Sequence, residues 1–575
     1  MTDTGANGPK PADSGNLSAL PRWSRRALLH RSWQLGLGVP AFIPPFARFQ
    51  TTFAARPSLF VPSTQDRANH LTVILHHNQF NFDPHESYGD ASVILLGVYE
   101  MLVQLHGDRP DEVEPMLADT WEANASKSSY TFHLSPRAVF HDGSPCDADA
   151  VKASFVRFLG LGALPVNIIR RFFQDPEQMV VLDQHTIRFD LSRPQPLFLS
   201  ALASPFGPYV VNPRVVDAYR TSEDPWAHEW LTGNTAGAGT GPYAVLEHLP
   251  NEHTILKRFD DYHRGWTGEH FNEIALRVVP EDFTRRELLE RGDADIVTRL
   301  LTPDDVAALA TVPTLRVEVY DSFDVGWVVM NASKLRTPEV RRGFSYAFPY
   351  DEVVTKVEGG LRKRTGPLPD GIRGYDPDVF LYPTDLARAR ELILSGGFQD
   401  GDRFDYMYLT GNESARAIAQ LFQANVQAIG FDLDLIEVEQ STLFDIGFGE
   451  LPAEDRPVFN GSWGWYPDYD DPWSQLAPCF LRSFTEGGEG TANAGLWVND
   501  RFEQIMAEAK IYTDEARLVE LMKEAQRILT EEDPPCIYVG QQRYATVRGE
   551  DIRGFDGNPL YLNLYRFYKM HRADA

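Results

Sequence analysis

The chain has 575 residues and a formal net charge of -27, and 43% of its residues are hydrophobic while 23% are charged. One hydrophobic core stops growing at roughly 250–300 residues, so this length predicts at least two lobes, and the acidic balance excludes a basic nucleic-acid-binding surface. Three cysteines without CxxC spacing, Cys146, Cys479 and Cys536, predict neither a metal knuckle nor a disulfide framework.

The composition of residues 1–60 predicts a leader segment that carries an export signal. A stretch rich in Gly, Pro, Ser, Asn and Asp precedes Arg25-Arg26, and a moderately apolar run follows over 33–46. This order resembles a twin-arginine export signal, and a basic pair in a floppy tail is the alternative. Prolines interrupt the run, which is too short for a spanning helix of about 20 residues. We therefore expect the protein on the periplasmic or extracellular face of the membrane, without a lipobox cysteine, and leave open whether the signal is cleaved.

The folded part begins at His70 with a strand, LTVIL, and a polar and aromatic loop. A helix is predicted over 91–105, and alternating apolar positions predict strands through Phe132 and Phe189. Between these strands Asp147 is placed to cap a helix. The glycine-rich segment 233–243 lacks the GxxxxGK[ST] pattern and opens no obvious helix, so nucleotide binding is not expected.

From residue 274 onwards predicted strands and helices alternate, which is typical of an α/β fold. The predicted strands cover 274–279, 296–297, 315–319, 325–330 and 431–438, and the predicted helices cover 284–291, 303–310, 338–347, 385–395, 415–429, 502–509 and 518–529. Gly430 follows the helix over 415–429, where a left-handed C-cap favours glycine. No tandem repeat of about 20 to 50 residues is visible, which excludes solenoids and propellers.

The most unusual stretch is NGSWGWYPDYDDPWSQL at 460–476, called here the aromatic segment. It places three tryptophans and two tyrosines around three aspartates, and two prolines restrict its backbone. Each indole carries a large apolar area, about 150–250 Å², so these rings are expected to pack or to bind. Rings around acids favour a pocket for a ligand that is cationic and partly apolar. A core-facing turn whose acids act as caps is the alternative.

Six motifs follow one another across roughly residues 70 to 570. The first three are YEMLV at 99–103, FHDGSP at 140–145 and GTGPY at 239–243. The next three are GDADI at 292–296, VRRGFSYA at 340–347 and ARAREL at 387–392. In their order and spacing the chain resembles the solute-binding proteins of bacterial ABC importers, specifically the oligopeptide/dipeptide/nickel-binding family, which is bacterial extracellular solute-binding protein family 5.

The resemblance implies an α/β, two-lobed periplasmic-binding-protein-like fold, class II and of the large cluster C type, with a hinged interlobe cleft. It implies lobe I over 61–278 with an extra subdomain near 85–230, lobe II over 279–535 and a return to lobe I over 536–575. A protein of this kind captures a small peptide or similar solute by hinge closure and delivers it to the permease subunits of the importer. No cofactor, metal or nucleic acid is expected, and the chain is expected to be a monomer.

The resemblance also implies that one carboxylate binds the ligand. In family members that take peptides, an acid in a DYxxP-like stretch holds the N-terminal ammonium of the peptide. The sequence DYDDP at 468–472 is similar to that stretch, so Asp468 is the implied ammonium-binding residue. The other candidate ligand-binding residues are Trp463, Trp465, Tyr466, Asn81, Phe82, Trp327 and Asn331. Turn capping is the alternative role for Asp468, and core packing is the alternative for Trp327. Asp470 and Asp471 are predicted to be turn or capping residues.

The same residues allow alternatives to peptide binding. Tryptophans stack on sugars, so an oligosaccharide, or a metal chelate, stays open as the ligand. An exported glycosidase that uses the aspartates is disfavoured, because the sequence has no second acidic cluster in a matching loop and no GxSxG or catalytic Cys/His signature. The chain is thus not predicted to be an enzyme. His76, His77 and His85 lack HExxH or Cys/His spacing, which favours a structural or surface role.

Overall fold

The computed structural model describes residues 67–573, apart from 76–80, 299–300, 449–450, 483–491, 513 and 562–564. The predicted leader with Arg25-Arg26 lies outside the described residues, as do His76 and His77. The described residues fall within one compact unit, Val61–Ala575. None of the helices described in it is long and apolar enough to cross a membrane.

The strands are named in chain order. They are β1 (His70–Leu75), β2 (Val103–His106), β3 (Arg109–Pro115), β4 (Ala118–Ala123), β5 (Ser129–Leu134), β6 (Met179–Asp183), β7 (Thr186–Asp190), β8 (Tyr243–Leu249), β9 (His253–Arg258), β10 (Glu273–Val278), β11 (Ile296–Thr298), β12 (Leu315–Met330), β13 (Arg362–Lys363), β14 (Arg403–Leu409), β15 (Asp432–Val438), β16 (Phe459–Trp465), β17 (Cys536–Gly549), β18 (Ile552–Arg553) and β19 (His571–Arg572).

The α-helices of the described residues are named in the same way. They are α1 (Ser92–Val98), α2 (Ala148–Leu161), α3 (Val166–Arg170), α4 (Phe198–Leu202), α5 (Pro213–Tyr219), α6 (His228–Gly233), α7 (Asp282–Arg291), α8 (Pro303–Leu309), α9 (Pro338–Ala347), α10 (Tyr350–Glu352), α11 (Leu386–Ser395), α12 (Glu413–Ala428), α13 (Gln440–Gly447), α14 (Pro472–Phe480), α15 (Asp500–Ala509) and α16 (Glu515–Arg527).

The main sheet has the strand order β15-β14-β16-β12-β17-β11-β1-β10-β9-β8, and β13 pairs with β17. In one half, β1 runs parallel to β10 and β11, and in the other half β14 runs parallel to β15 and β16. The long strands β12 and β17 are antiparallel to each other and lie between the halves. β17 pairs with β11 and β12 pairs with β16, so these two strands carry the chain from one half to the other.

A second, four-stranded sheet of order β4-β5-β7-β6 lies within the predicted extra subdomain. β5 alternates half-buried and buried residues, as its sequence predicts. α2 packs against this sheet through Phe155, whose ring centroid is 5.3 Å from that of Phe189. The predicted cap is present, because the Asp147 carboxylate accepts a hydrogen bond from the Ala150 N–H at 3.0 Å.

The prediction of a helix over 91–105 is wrong for the second half of that range. The helix ends at Val98, and Tyr99 is extended with φ -114° and ψ 162°. The next residue, Glu100, turns into the interior, where the Tyr262 hydroxyl donates a hydrogen bond to it at 2.8 Å and His263 Nε2 lies 3.1 Å away. Val103–His106 then forms a hairpin with β3. A buried carboxylate with distant partners therefore overrides the local helical pattern.

Two further differences concern the long strand and the lobe boundary. The predicted strands 315–319 and 325–330 are one 16-residue strand, because pairing with β17 continues through Asp321, opposite Arg543, and resumes at Val325 after a shift in register. β11 lies beyond residue 278, where the second lobe is predicted to begin, yet it pairs with β1 through Val73 and Ile296. The lobe boundaries stay a prediction, and this pairing places β11 in the same half of the sheet as β1.

Candidate functional site

The aromatic segment is a strand, a short turn and a helix. β16 ends at Trp465 and pairs with β12, which places Trp463 opposite Trp327. Asp471 caps α14 by accepting a hydrogen bond from the Trp473 N–H at 3.3 Å. Pro472 occupies the first helical position, where the missing N–H costs nothing. Asp471 thus has the capping role predicted for it.

Two large cavities are lined by residues of this segment. Cavity A has a volume of about 580 Å³ and touches residues 461–464 of β16, whereas cavity B has a volume of about 230 Å³ and touches Trp465, Asp468 and α14. Both halves of the main sheet line cavity A. Pro280 and Thr302 follow β10 and β11, and residues 410–412 follow β14. Cavity A is therefore a cleft between the two halves.

Asp468 is a buried acid in the wall of cavity B, with 9% of its surface exposed. The Tyr88 hydroxyl donates a hydrogen bond to its Oδ1, and the Ser474 hydroxyl lies 3.4 Å from its Oδ2. Asp468 forms no salt bridge within the described part of the chain. Burial raises the pKa of Asp468 to about 7, and the hydrogen bonds from Tyr88 and Ser474 oppose this only in part. An ammonium group beside this carboxylate would supply the missing counter-charge.

The other two aspartates of the segment have cationic partners. Asp471 forms an ion pair with Arg171, and both side chains are almost fully buried. The Arg171 guanidinium also lies over the Trp473 ring, 4.7 Å from its centroid. Asp470 pairs with Arg373 at 3.2 Å. Of the three acids, Asp468 is the one whose charge the described residues leave uncompensated.

Tyr88 belongs to segment 81–91, which a buried ion pair attaches to α2. Arg157 of α2 donates to Asp83 Oδ1 at 2.9 Å, and His228 Nδ1 lies 2.9 Å from Asp83 Oδ2. Burial by itself raises the pKa of Asp83, but the hydrogen bonds from His228 and Arg157 and the charge of Arg157 outweigh it and hold the pKa below its ordinary value. Asp83 is therefore a buried anion whose charge depends on Arg157.

His85 lies in the same segment. Burial lowers the pKa of His85 to about 3, and its Nε2 lies 2.8 Å from the Tyr209 carbonyl oxygen. The imidazole is therefore neutral and holds the segment against the interior. This is the structural role predicted for His85.

The Tyr88 ring is held in place by aromatic contacts, in addition to the hydrogen bond of its hydroxyl. It stacks on the Trp465 ring with centroids 6.2 Å apart and also contacts Phe206 at 4.7 Å. Trp465 in turn donates from Nε1 to the Ser474 carbonyl at 3.1 Å. The carboxylate of Asp468 is thus surrounded by groups that are themselves held in place.

The structure brings four of the eight predicted site residues to the cavities. Trp327 and Trp463 line cavity A, and Trp465 and Asp468 line cavity B. Tyr466 is half-buried, with its ring centroid 5.8 Å from that of Phe206. A ligand-binding role for each of these residues stays a prediction.

The remaining three predicted residues do not line either cavity. Phe82 is buried and packs on His248 at 4.8 Å. Asn331 is buried and accepts a hydrogen bond from the Ser333 N–H at 3.0 Å, which stabilises the turn after β12. Asn81 accepts a hydrogen bond from the Asp83 N–H at 2.9 Å and donates to Glu86.

Sequence reasoning missed several residues around the cavities. Tyr88 follows Asn81 in the same loop, and this nearness to a candidate residue is the one indication of its role that the sequence contains. Arg171 gave no signal, because its partner Asp471 is 300 residues away. Arg362 likewise gave none, although it lines cavity A at the level of β12.

Comparison with known proteins gives a consistent result. The family model for bacterial extracellular solute-binding proteins, family 5 Middle, matches residues 112–485, more than half of the chain. The "Probable D,D-dipeptide-binding periplasmic protein DdpA" of Escherichia coli (strain K12) is 28% identical over 484 residues, which covers 82% of this chain and 88% of the relative. The dipeptide-binding protein of the same organism is 26% identical over 483 residues, covering 78% and 84%.

A solved structure supports the fold. It is the ABC transporter-associated periplasmic binding protein DppA of Helicobacter pylori in complex with the peptide STSA, with a TM-score of 0.76 and 22% identity over 89% of this chain and 100% of the other. At this identity the likeness concerns the fold alone. The predicted two-lobed α/β fold of periplasmic binding proteins is confirmed.

Proposed function

Because this chain belongs to the bacterial extracellular solute-binding proteins of family 5, we propose that it captures a short peptide in its cleft and delivers it to the permease subunits of an ABC importer. The observation that carries the proposal is Asp468, a buried carboxylate without a cationic partner among the described residues, in the wall of a cavity. The N-terminal ammonium of a peptide is the charge it requires. Export through Arg25-Arg26 by the twin-arginine route, and action as a monomer, are parts of this proposal.

The peptide main chain lies along β16 in this proposal. Gly461 and Gly464 of this strand both line cavity A, so the backbone of β16 forms part of its wall. With its ammonium at Asp468, a peptide extends from cavity B towards cavity A. The long strands β12 and β17 connect the two halves of the sheet, so they are the proposed hinge for closure.

A peptide fits the site better than the alternative ligands do. An oligosaccharide would stack on Trp463 and Trp465, but an uncharged sugar leaves the Asp468 carboxylate without a counter-charge. A metal chelate that carries a primary amine would satisfy Asp468, so such a ligand is the second candidate. A glycosidase has no support, since Asp470 and Asp471 are held by arginines.

The test is a thermal-shift screen with pooled peptides. A ligand at 100-fold over its dissociation constant adds about 2.7 kcal/mol of stability, which is a readily measured shift. Each peptide that shifts the melting temperature is repeated in N-acetylated form, which removes the ammonium and should abolish the shift. Shifts with sugars and none with peptides would contradict the proposal. Mass spectrometry of material that co-purifies with the protein gives an independent identification.

A further inference from the structure

Segment 81–91, which carries Tyr88, is held by a histidine as well as by its buried ion pair. His228 is the first residue of α6, and its Nδ1 lies 2.9 Å from Asp83 Oδ2. Its Nε2 lies 3.2 Å from Glu86 Oε2. One imidazole therefore meets two carboxylates of the same segment, one with each ring nitrogen. We call His228, Asp83 and Glu86 the His228 clasp.

This geometry fixes the protonation state of the imidazole. A carboxylate oxygen only accepts hydrogen bonds, and a neutral imidazole has one N–H and one nitrogen lone pair. With a carboxylate beside each ring nitrogen, the neutral form turns its lone pair towards an anion, whereas the imidazolium presents an N–H to both. The His228 clasp therefore requires a protonated imidazole.

The charges around His228 balance in the protonated form. Among the described residues, the charged groups that face it are Asp83, Glu86 and Arg157. The two anions are balanced by Arg157 and the imidazolium, and by Arg157 alone once the proton is lost. The hydrogen bond to Asp83 raises the pKa of His228 above its ordinary value of 6.5, and burial and the charge of Arg157 oppose this only in part.

His228 can exchange a proton with the solvent. Its side chain is 29% exposed and that of Glu86 is 39% exposed, whereas the Asp83 side chain is fully buried. The Nδ1 proton is held by the buried acid, where a hydrogen bond is stronger, so Nε2 is the nitrogen that loses its proton as pH rises. Asn81 also donates to Glu86, so deprotonation loosens this part of the segment without releasing it.

The backbone immediately before His228 is strained. Ala227 is buried and has φ 51° and ψ 35°, a left-handed conformation that residues with a side chain rarely adopt. Arg157 Nε donates to the Trp226 carbonyl oxygen at 2.8 Å, and the Leu231 N–H donates to the Ala227 carbonyl oxygen at 3.1 Å. Strain of this kind persists only where the surroundings hold it, and it is typical of functional positions.

We propose that His228 is a positioning residue whose protonated ring holds segment 81–91 in place. Through this segment it positions Tyr88 against Asp468, and loss of its Nε2 proton loosens the segment at Glu86. Because the folded pKa of His228 is raised, the clasp is complete below about pH 6.5 and is lost as pH rises through the folded value. The clasp acts in the ligand-free protein, whereas its effect on ligand binding rests on the proposed function.

The test is amide hydrogen exchange of the ligand-free protein at pH 6 and pH 8.5, corrected for the intrinsic exchange rates. The N–H groups of Glu86 and Ser87 donate to the Asp83 carbonyl oxygen at 3.2 and 2.9 Å, and the His85 N–H donates to the Asp83 carboxylate at 3.0 Å. Protection of Glu86 and Ser87 should fall by about twofold to fivefold at the higher pH, while that of His85 stays unchanged. Equal protection of Glu86 and Ser87 at both pH values would overturn the inference.

Variants separate the clasp from Asp468, whose pKa of about 7 lies in the same range. His228→Asn keeps an amide donor but no charge, so protection should be low at both pH values. His228→Lys is cationic at both pH values and should restore high protection at both. His133→Asn is the control, because His133 lies 4.0 Å from Glu122 on β4 and should behave as the parent protein does. A pH dependence that survives in His228→Asn would assign it to another group and refute the clasp.

A second measurement follows the histidine itself. An NMR titration of the parent protein with labelled histidines should show His228 losing its proton above the ordinary value of about 6.5. A neutral His228 ring at pH 6 would refute the clasp, whatever the variants show.

Calorimetry measures the effect of the clasp on binding, with a peptide that shifts the melting temperature of the parent protein. His228→Asn should bind this peptide about twofold to fivefold more weakly than the parent protein at pH 6, and equally at pH 8.5. Equal affinities at pH 6 would overturn the link from the clasp to Tyr88. If no peptide binds the parent protein, the proposed function is contradicted, and hydrogen exchange alone decides whether the clasp exists.

Discussion

The hydroxyl of Tyr88 donates a hydrogen bond to Oδ1 of Asp468, although the two residues are 380 positions apart in the chain. The bond joins the loop after β1 to the aromatic segment, at the wall of cavity B. A phenol supplies a donor but no positive charge, so Asp468 stays a buried acid whose pKa burial raises to about 7. A positive charge is therefore what this carboxylate lacks among the described residues, and in the proposed function the ligand supplies it.

The affinity for peptides should rise with pH up to about pH 7 to 8. Asp468 must be ionised to hold an ammonium, so below its pKa the affinity falls by up to about tenfold per pH unit. Above about pH 8 the peptide's α-amino group loses its proton and the affinity falls again. Calorimetry between pH 5.5 and 9 measures this profile. Asp468→Asn should bind at least about 100-fold more weakly and lose the acidic limb, and a flat profile in the parent protein would contradict the assignment.

Asp468 should also lower the stability of the ligand-free protein at neutral and alkaline pH. The folded pKa of Asp468 is raised above the unfolded value, so the folded state binds the extra proton between about pH 4 and pH 7 and stability falls as pH rises through that window. Asp468→Asn should therefore raise the free energy of unfolding at pH 8 by on the order of 1–3 kcal/mol, and change it little at pH 4. Urea unfolding at the two pH values measures the difference. A variant that is less stable at pH 8 would show that the charged carboxylate stabilises the fold.

Tyr88→Phe should move the pH profile of binding to higher pH. Removing the hydroxyl takes away a hydrogen bond that lowers the pKa of Asp468, so ionisation requires a higher pH. Binding should be reduced by about threefold to tenfold at pH 6.5 and approach that of the parent protein at pH 8. Tyr219→Phe is the control, because Tyr219 is 48% exposed and stacks on Trp230. An equal loss at both pH values would indicate a packing role for Tyr88.

Arg157→Met should strongly destabilise the protein. It leaves Asp83 buried and without its main cationic partner, which costs about 3–5 kcal/mol. Arg188→Met is the matched control, because Arg188 pairs with Asp190 where both side chains are partly exposed, and it should change stability much less. Thermal and urea unfolding compare the two variants. If both lose the same small amount, the buried pair does not hold segment 81–91.

Gly461→Ala should disturb β16 and with it cavity A. A Cβ at this position would lie 1.9 Å from the Tyr406 hydroxyl oxygen, and Tyr406 is fully buried, so the strand or the ring must shift. Overpacking of this kind costs about 1–3 kcal/mol. Gly233→Ala is the control, since an added Cβ there meets nothing within 4 Å. Urea unfolding should show a lower free energy of unfolding for Gly461→Ala than for Gly233→Ala. Equal values for the two variants would mean that β16 shifts to accept the Cβ at no cost.

Much of the fold was predictable because its signals are local. α12 and β5 follow from apolar periodicity, and the cap at Asp147 follows from residue type. The predicted bounds of helices and strands were wrong where contacts with residues distant in the sequence decide the structure. Glu100 ends α1 early because Tyr262 and His263 bind it, and β12 continues past Asp321 because its pairing with β17 resumes at Val325 after a shift in register.

By itself the sequence determined the family, the α/β class and the segment that holds the proposed binding acid, since ordered motifs and aromatic composition are properties of the chain. Only the tertiary structure decided which aspartate keeps an uncompensated charge. Asp471 is neutralised by Arg171 and Asp470 by Arg373, which are 300 and 97 residues away, whereas Asp468 meets the uncharged Tyr88. Electrostatic compensation depends on distance in space, and that distance is fixed by packing that no local pattern contains.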